Sequence, residues 1–473
     1  MNNGYPVIIQ GGMGAGVSNW QLAQAVSKQG QLGVVAGTAL DQIFARRLQD
    51  GDPGGHMRRA MDNFPFPEMA ERVWREYYIP GGRAAGVSYK RTPKLQKDNP
   101  RDLLELSLAG NFAEVWLARQ GHTNPVGINY LEKIQTALLS AIYGAMLGGV
   151  EYVIVGAGIP IKVPGVLDAL ANHQPASYPL AVSGVQDGDD TTMHFDPREL
   201  MERELPPMKR PRFLAIIASN VLGTTLLKRS NGKVDGLIIE HHTAGGHNAP
   251  PRGKLQLTPE GEAIYGERDV VDIAAIAALG VPFWLAGGYG SHEKLLEAQA
   301  AGATGVQVGT AFAYSNESGL REDYKQALRQ MARDGKAKVF TDPHSSPTGF
   351  PFKAALLEHT YSDDEAYLGR PRVCDLGYLR EAYRTPEGTI SYRCAAEPLP
   401  VYASHGGDPE KAVGKRCLCN ALLANIGQQQ VRGKYEERGF VTSGNALKDI
   451  SDFQPADGLA YSAADVIEKL LKG

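Results

Sequence analysis

The sequence predicts a (β/α)8 TIM barrel with helical insertions and a C-terminal extension, on three observations. Eight short apolar runs recur between residues 6 and 308, helix-length amphipathic stretches separate them, and the runs are apolar without alternation. Continuous apolar character means that both faces are covered, as in a parallel sheet wrapped by helices. In such a barrel the active-site residues sit at the C-terminal ends of the strands. Spacing alone does not show closure, so an open doubly wound sheet is the competing architecture.

The expected strands are residues 6–10 (PVIIQ), 33–37 (GVVAG), 125–130 (PVGINY), 152–156 (YVIVG), 213–219 (FLAIIAS), 236–240 (GLIIE), 282–286 (PFWLA) and 304–308 (TGVQV). Among the helices, Ser18-Asn19 can cap NWQLAQAVSKQG, RDVVDIAAIAALG stops at Gly280, and SHEKLLEAQAAG starts at a serine and stops at a glycine. Two segments break the repeat. Residues 41–105 hold DPGGH and FPFPEMAERVWREYYIPGG and read as a helical insertion over one end of the barrel. Residues 174–211 hold YPLAVSG, the acidic DGDD and a helix expected in DPRELMEREL. Long insertions on one side of a barrel serve as a lid or an interface, or are surface decoration. The barrel is expected to span residues 1–345, and residues 346–473 a mainly helical extension packed on it.

Composition narrows the function classes. A chain of 473 residues with 21% charged residues and a net charge of −3 reads as an ordinary soluble protein. No basic tract points to nucleic acid, and no run of about 18 apolar residues points to a membrane span. The start, MNNGYPVIIQGGMG, lacks the basic and long apolar regions of a signal peptide, which makes a cytoplasmic location the default expectation. All four cysteines lie beyond residue 370 and do not make a disulfide framework.

Glycines and polar residues collect at the strand ends. Ala286-Gly287-Gly288-Tyr289-Gly290-Ser291 follows strand seven and opens a helix, and strand eight runs into Gln307-Val308-Gly309-Thr310. Neighbouring loops of this kind make the usual barrel phosphate site, where bare backbone N–H groups and a helix N-terminus meet the anion. Either glycine run alone is also what a tight turn uses. Gly11-Gly12-Met13-Gly14 after strand one offers a bare surface suited to a flat ring. Asn129 places an amide at the end of strand three, to meet a heterocycle edge or, more plainly, to cap a loop. The stretch IIEHHTAGGHNAPPRG, residues 238–253, brings Glu240, three histidines and Gly245-Gly246 to the end of strand six.

Together, PVIIQGGMG, GIN on strand three, E-x-x-x-A-G-G-H from Glu240 to His247, AGG at 286–288 and QVGT at 307–310 resemble the nitronate monooxygenase family, formerly the 2-nitropropane dioxygenases. That family also takes in flavin-dependent enoyl-acyl-carrier-protein reductases and trans-acting enoyl reductases. The resemblance covers residues 5–350 and implies an FMN-containing barrel. By it, Asn129, Glu240, Gly245, Gly287, Gly288, Gln307, Val308, Gly309 and Thr310 would contact FMN, with the glycines and the last run at the phosphate. Glu240 stands where the family often has glutamine, and a carboxylate there brings charge unless paired.

The resemblance makes His247 the catalytic base, with Gly245 and Gly246 leaving the backbone bare for the strand-six loop to approach the cofactor. An imidazole suits removal of a proton from carbon next to a nitro or carbonyl group, with flavin N5 taking the electrons. A histidine bonded to a loop carbonyl is the bland alternative. Strand alternation would turn one of His241 and His242 into the barrel and the other outward. A metal site from His241, His242 and His247 is disfavoured, because adjacent histidines are expected to point apart and no carboxylate follows at ligand spacing.

The insertions and TDPHSSPTGFPFK, residues 341–353, are expected to rebuild the pocket over the barrel mouth. Three activities follow: an FMN oxidase or monooxygenase acting on nitronate-like carbon acids; an NAD(P)H-dependent enoyl reductase of a lipid or polyketide pathway, partnered by an acyl carrier protein; and a non-catalytic flavin-binding subunit. Homo-oligomerisation is left open. Cys374, Cys394, Cys417 and Cys419 lack a C-x-x-C spacing and lie far apart in sequence, so they are expected to be free structural thiols without a stoichiometric metal; zinc, an iron–sulfur cluster or a redox pair are the alternatives.

Overall fold

This computed structural model of the protein describes residues 4–473. Residues 1–3, part of the expected barrel span, lie outside the described residues.

Eight strands form one sheet: β1 (Ile8–Gln10), β2 (Gly33–Ala36), β3 (Val126–Leu131), β4 (Tyr152–Gly156), β5 (Arg212–Ile217), β6 (Gly236–Glu240), β7 (Phe283–Ala286) and β8 (Gly305–Val308). Each is hydrogen-bonded in parallel to the strand next in sequence from β2 to β8, and β8 pairs in parallel with β1. The circle closes between β1 and β2, where the Gln10 N–H donates to Leu32 O at 2.9 Å and the Leu32 N–H donates to Ile8 O at 3.1 Å. Closure decides for the barrel over the open doubly wound sheet.

The barrel interior is filled by Ile9, Leu32, Val34, Tyr152, Ile154, Leu214, Ile238, Trp284 and Ala286, all buried. The Trp284 indole N–H donates to Pro6 O at 2.9 Å, so the largest interior side chain leaves no polar atom unpaired. Because successive residues alternate sides, Asn129, Glu240 and Gln307 continue the interior-facing rows of their strands. They form its last layer, next to the C-terminal mouth. Glu240 and Gln307 stand in register on either side of Ala286.

The outer ring follows the caps read from sequence. Helix Trp20–Lys28 starts where the Asn19 side chain accepts the Leu22 N–H, and helix His292–Ala300 starts where Ser291 accepts the Lys294 N–H. After β2 the chain makes four helical segments, Leu40–Gln49, Pro53–Gly55, His56–Met61 and Pro67–Tyr77, crosses residues 78–100 without regular structure, and only then forms the ring helix Arg101–Ala118. The first insertion therefore ends near residue 100.

In the second insertion, DPRELMEREL does not form the expected helix. Only a 3-10 turn, Pro197–Glu199, appears, capped by Asp196, and Pro206-Pro207 follow soon after. A run this short does not recover the cost of helix nucleation without a packed apolar face. The flanking chain forms an antiparallel pair, Ala176–Pro179 with Thr192–Phe195.

The region after residue 345 lies over the barrel, but it alternates short helices with short strands rather than being mainly helical. Nor does residue 345 separate two bodies. Strand Phe352–Ala355 pairs with Val339–Asp342 on one side and with Gly246–His247 on the other. The last helix, Ala463–Lys472, packs against Trp20–Lys28 and His292–Ala300, which places it in the ring between the first and seventh helices. It buries Ala463, Val466, Ile467 and Leu470, an i, i+3, i+4, i+7 stripe, and opens with a Ser462–Asp465 capping box. The extension is thus a long excursion inside the eighth βα unit. No helix among the described residues is long and apolar enough to cross a membrane.

Candidate active site

A cavity of about 450 Å³ opens at the C-terminal ends of the strands, and every site residue read from the sequence lines it. Four regions build it: Gly11-Gly12-Met13 after β1, Asn129 on β3, the loop from Glu240 to His247, and the ends of β7 and β8. Gly287 and Gly288 both have left-handed backbone, φ +83° and +82°, which a side chain would strain. The β7 loop can turn there only as bare backbone.

The strand-six loop is shaped by the far end of the chain. A Cβ on Gly245 would fall 2.6 Å from the Ser443 carbonyl carbon and 2.7 Å from Gly444 N. The bareness assigned to cofactor approach is therefore used by segment 442–446, which docks here. Its Gly444 N–H donates to Thr310 Oγ1 at 3.1 Å, and its Asn445 N–H donates to Thr243 O at 2.9 Å. One segment thus ties the loops of β6 and β8 together.

His247 is held on a two-residue strand, paired with Phe352. Its ring stands edge-on to Phe352, centroids 5.0 Å apart, and Nε2 lies 2.8 Å from Ser346 Oγ. The Ser346 hydroxyl in turn lies 2.7 Å from Thr348 Oγ1. Burial pushes the imidazole pKa down to about 4, so the ring is neutral at neutral pH. Its partner is thus a hydroxyl, not the loop carbonyl of the bland alternative. TDPHSSPTGFPFK does reach the barrel mouth, supplying Ser346 and Phe352.

Glu240 faces the cavity, and burial pushes its carboxyl up to about 7. At neutrality it is divided between its charged and protonated forms. Lys353, which sequence reasoning missed, is buried beside the same loop and donates to His242 O at 2.7 Å and Asn445 Oδ1 at 2.6 Å. Burial lowers its pKa to about 8.

His241 and His242 do not split between the inside and outside of the barrel. Their rings lie 4.0 Å apart, His242 stacks on Tyr265 at 4.1 Å and 6°, and neither lines the cavity. Alternation fails because β6 ends at Glu240, and a turn rather than a strand carries both residues. No group of three His, Cys, Asp or Glu side chains among the described residues is arranged to hold a single metal ion.

Sequence reasoning also missed the wall contributed by the late chain: Tyr378, Leu379, Cys419, Ser443, Asp449 and Phe453 all face the cavity. Two cavity-lining atoms, Gln307 Oε1 and Ser443 Oγ, are buried without a hydrogen-bond partner. Buried polar atoms are rarely left so, and these sit where a polar ligand would complete them.

The sequence profile of the nitronate monooxygenase family matches residues 212–462, more than half of the chain. The chain belongs to that family. The match starts at β5 and runs to the last ring helix, so the late excursion belongs to the family region, beyond the residues on which the resemblance was read. A probable nitronate monooxygenase of Bacillus subtilis (strain 168) is 32% identical over 144 residues, which are 29% of this chain and 39% of that protein. One from Staphylococcus saprophyticus is 30% identical over 122 residues, 26% of this chain and 33% of that protein. The matched stretches thus span well under half of the length of these curated relatives. Among solved structures, FabK from Thermotoga maritima aligns over 99% of this chain and 92% of its own at 18% identity, with a TM-score of 0.46.

Proposed function

We propose that the protein is an FMN-dependent oxidoreductase that oxidises nitronate-like carbon acids, with His247 as the base. One observation carries the reading: an imidazole on the cavity wall, neutral at neutral pH, with its Nε2 engaged by Ser346. With the Nε2 proton donated to Ser346 Oγ, Nδ1 is the atom left with a free lone pair. A carbon acid in the cavity can deliver its proton there, and no ionisation of the enzyme has to precede that transfer.

The cavity residues fit the cofactor. Gly287, Gly288, Gly309 and Thr310 would hold its phosphate, as bare backbone and a hydroxyl at adjacent strand ends. Asn129, Glu240 and Gln307 would meet the polar edge of its ring system, and the unpaired Gln307 Oε1 supports that assignment. Glu240, with a pKa near 7, can meet that edge as a hydrogen-bond donor when protonated, which resolves the charge its replacement of glutamine would bring. When bound, FMN supplies the two-electron acceptor for the deprotonated carbon. The protein's part is to orient substrate and cofactor, to exclude water with the late-chain wall, and to take up the proton.

Mass measurement of the cofactor released by denaturation should give FMN. Anaerobic mixing of the yellow protein with a nitronate, or with NADPH or NADH, then separates the chemistries. Bleaching by the nitronate supports the proposal, whereas rapid bleaching by a nicotinamide with none by nitronates overturns it in favour of an NAD(P)H-dependent reductase.

A further inference from the structure

The four cysteines are separated in sequence by 19, 22 and one intervening residues, yet all four line one small cavity beneath the late-chain wall. Three segments deliver them. Cys374 comes from the stretch after helix Asp364–Leu368, Cys394 from the end of strand Ile390–Arg393, and Cys417 and Cys419 from the start of helix Leu418–Ala424. Thiols that merely fill a core as small hydrophobes have no reason to converge from separate segments on one void. All four are free.

The surroundings are those of thiolate ligands. The backbone amides of Tyr378 and Leu379 near Cys419, and that of Ala396 near Cys394, favour the charged form of those sulfurs. The Asn420 side-chain amide lies 3.6 Å from Cys417 Sγ. A neutral thiol is a weak acceptor, so donors converging on these sulfurs match a charged sulfur better than an S–H. Arg380 stands on the same wall and supplies positive charge beside Glu397, whereas Arg370 is paired with Glu437 at 2.7 Å. Burial, and then the neighbouring cysteines, push the thiol of Cys374 up to about 11 and raise Cys394 and Cys419 as well. Without a cation among them these groups stay protonated, and a bound metal would have to displace their protons.

A single zinc ion needs its four sulfurs at about 2.3 Å from one point. No three such side chains among the described residues are arranged around one ion. The four cysteines instead line one small void from three segments, an arrangement for a multinuclear core rather than a single ion. We propose that Cys374, Cys394, Cys417 and Cys419 ligate an iron–sulfur cluster. Leu379 and Cys419 line both this cavity and the one at the barrel mouth, so the cluster would sit directly behind the wall of the candidate active site. The proposal reverses the expectation of structural thiols, which rested on the missing C-x-x-C spacing, on sequence separation and on the use of free cysteine as a small core hydrophobe. It does not depend on the identity of the organic cofactor.

The test is protein purified without oxygen or chelator, assayed for iron, acid-labile sulfide and zinc, with electron paramagnetic resonance after reduction by dithionite. The expected result is about two or four irons with matching sulfide per chain and a signal from the reduced cluster. Cys394→Ser and, separately, Cys374→Ala should lose that signal and most of the iron while retaining the cofactor of the barrel mouth. Should either variant fail to fold, the wild-type assay alone decides. One zinc per chain without iron would overturn the proposal. So would wild-type protein that takes up no iron on anaerobic reconstitution with ferrous iron and sulfide, and shows four titratable thiols in denaturant.

Discussion

The imidazole of His247 and the hydroxyl of Ser346 stand 2.8 Å apart, Nε2 to Oγ, although 99 residues separate them in sequence. The contact orients the ring, and Ser346→Ala removes it without touching the cavity glycines. Loss of one such hydrogen bond costs about 1 kcal/mol, so kcat should fall roughly fivefold with cofactor affinity unchanged. Ser346→Thr, which keeps a hydroxyl, should recover most of the rate. Equal rates for Ser346→Ala and wild type would show that the contact positions nothing.

His247→Ala should keep the cofactor and slow its reduction by a carbon acid by about 10² to 10⁴, the range for a lost general base. Stopped-flow absorbance reads the rate directly. Unchanged reduction would make His247 structural.

The pH profile follows from the sign of the His247 shift. In the proposed reaction the proton acceptor is the neutral ring, whose pKa burial holds near 4. Proton abstraction should hold through neutrality and fall only as the pH nears that value. An exposed histidine would lose activity near a pKa of about 6.5. Loss of reduction rate centred there would show that the ring is more solvated than the fold implies.

Glu240 acts in the opposite sense on stability. Its folded pKa, about 7, lies above the unfolded value, so its contribution is present below the unfolded pKa and lost as the pH rises through 7. Glu240→Gln removes that loss. Relative to wild type, the cofactor-free variant should gain on the order of 1 to 3 kcal/mol between mildly acidic and mildly alkaline pH. Urea unfolding at the two pH values measures the difference, and a pH-independent difference would argue against a buried carboxyl.

Gly245→Ala introduces a methyl 2.6 Å from the Ser443 carbonyl carbon. Backbone cannot yield as a flexible side chain does, so segment 442–446 must shift, at a cost of roughly 1 to 3 kcal/mol. Thermal unfolding should show a lowered Tm, and hydrogen exchange should show faster opening at residues 442–446. Exchange there no faster than in wild type would mean that the segment is anchored elsewhere.

Much of this molecule was legible without coordinates, because local patterns depend on near neighbours in sequence. Unalternating apolar runs such as YVIVG and GLIIE can be buried only on both faces, and Asn19 and Ser291 announce the helices they cap. The glycine-rich strand ends and His247 likewise follow from the order of the motifs. What the tertiary structure alone decided are encounters between distant segments: Ser346 beside His247, Ser443 against Gly245, the last helix entering the ring beside the first, and four cysteines around one void. His241 and His242 lie side by side because the strand stops at Glu240, just before them, a boundary that alternation cannot see. Such contacts are set by the path of long loops, whose closure entropy varies only slowly with length, so spacing in sequence carries almost no information about which side chains meet.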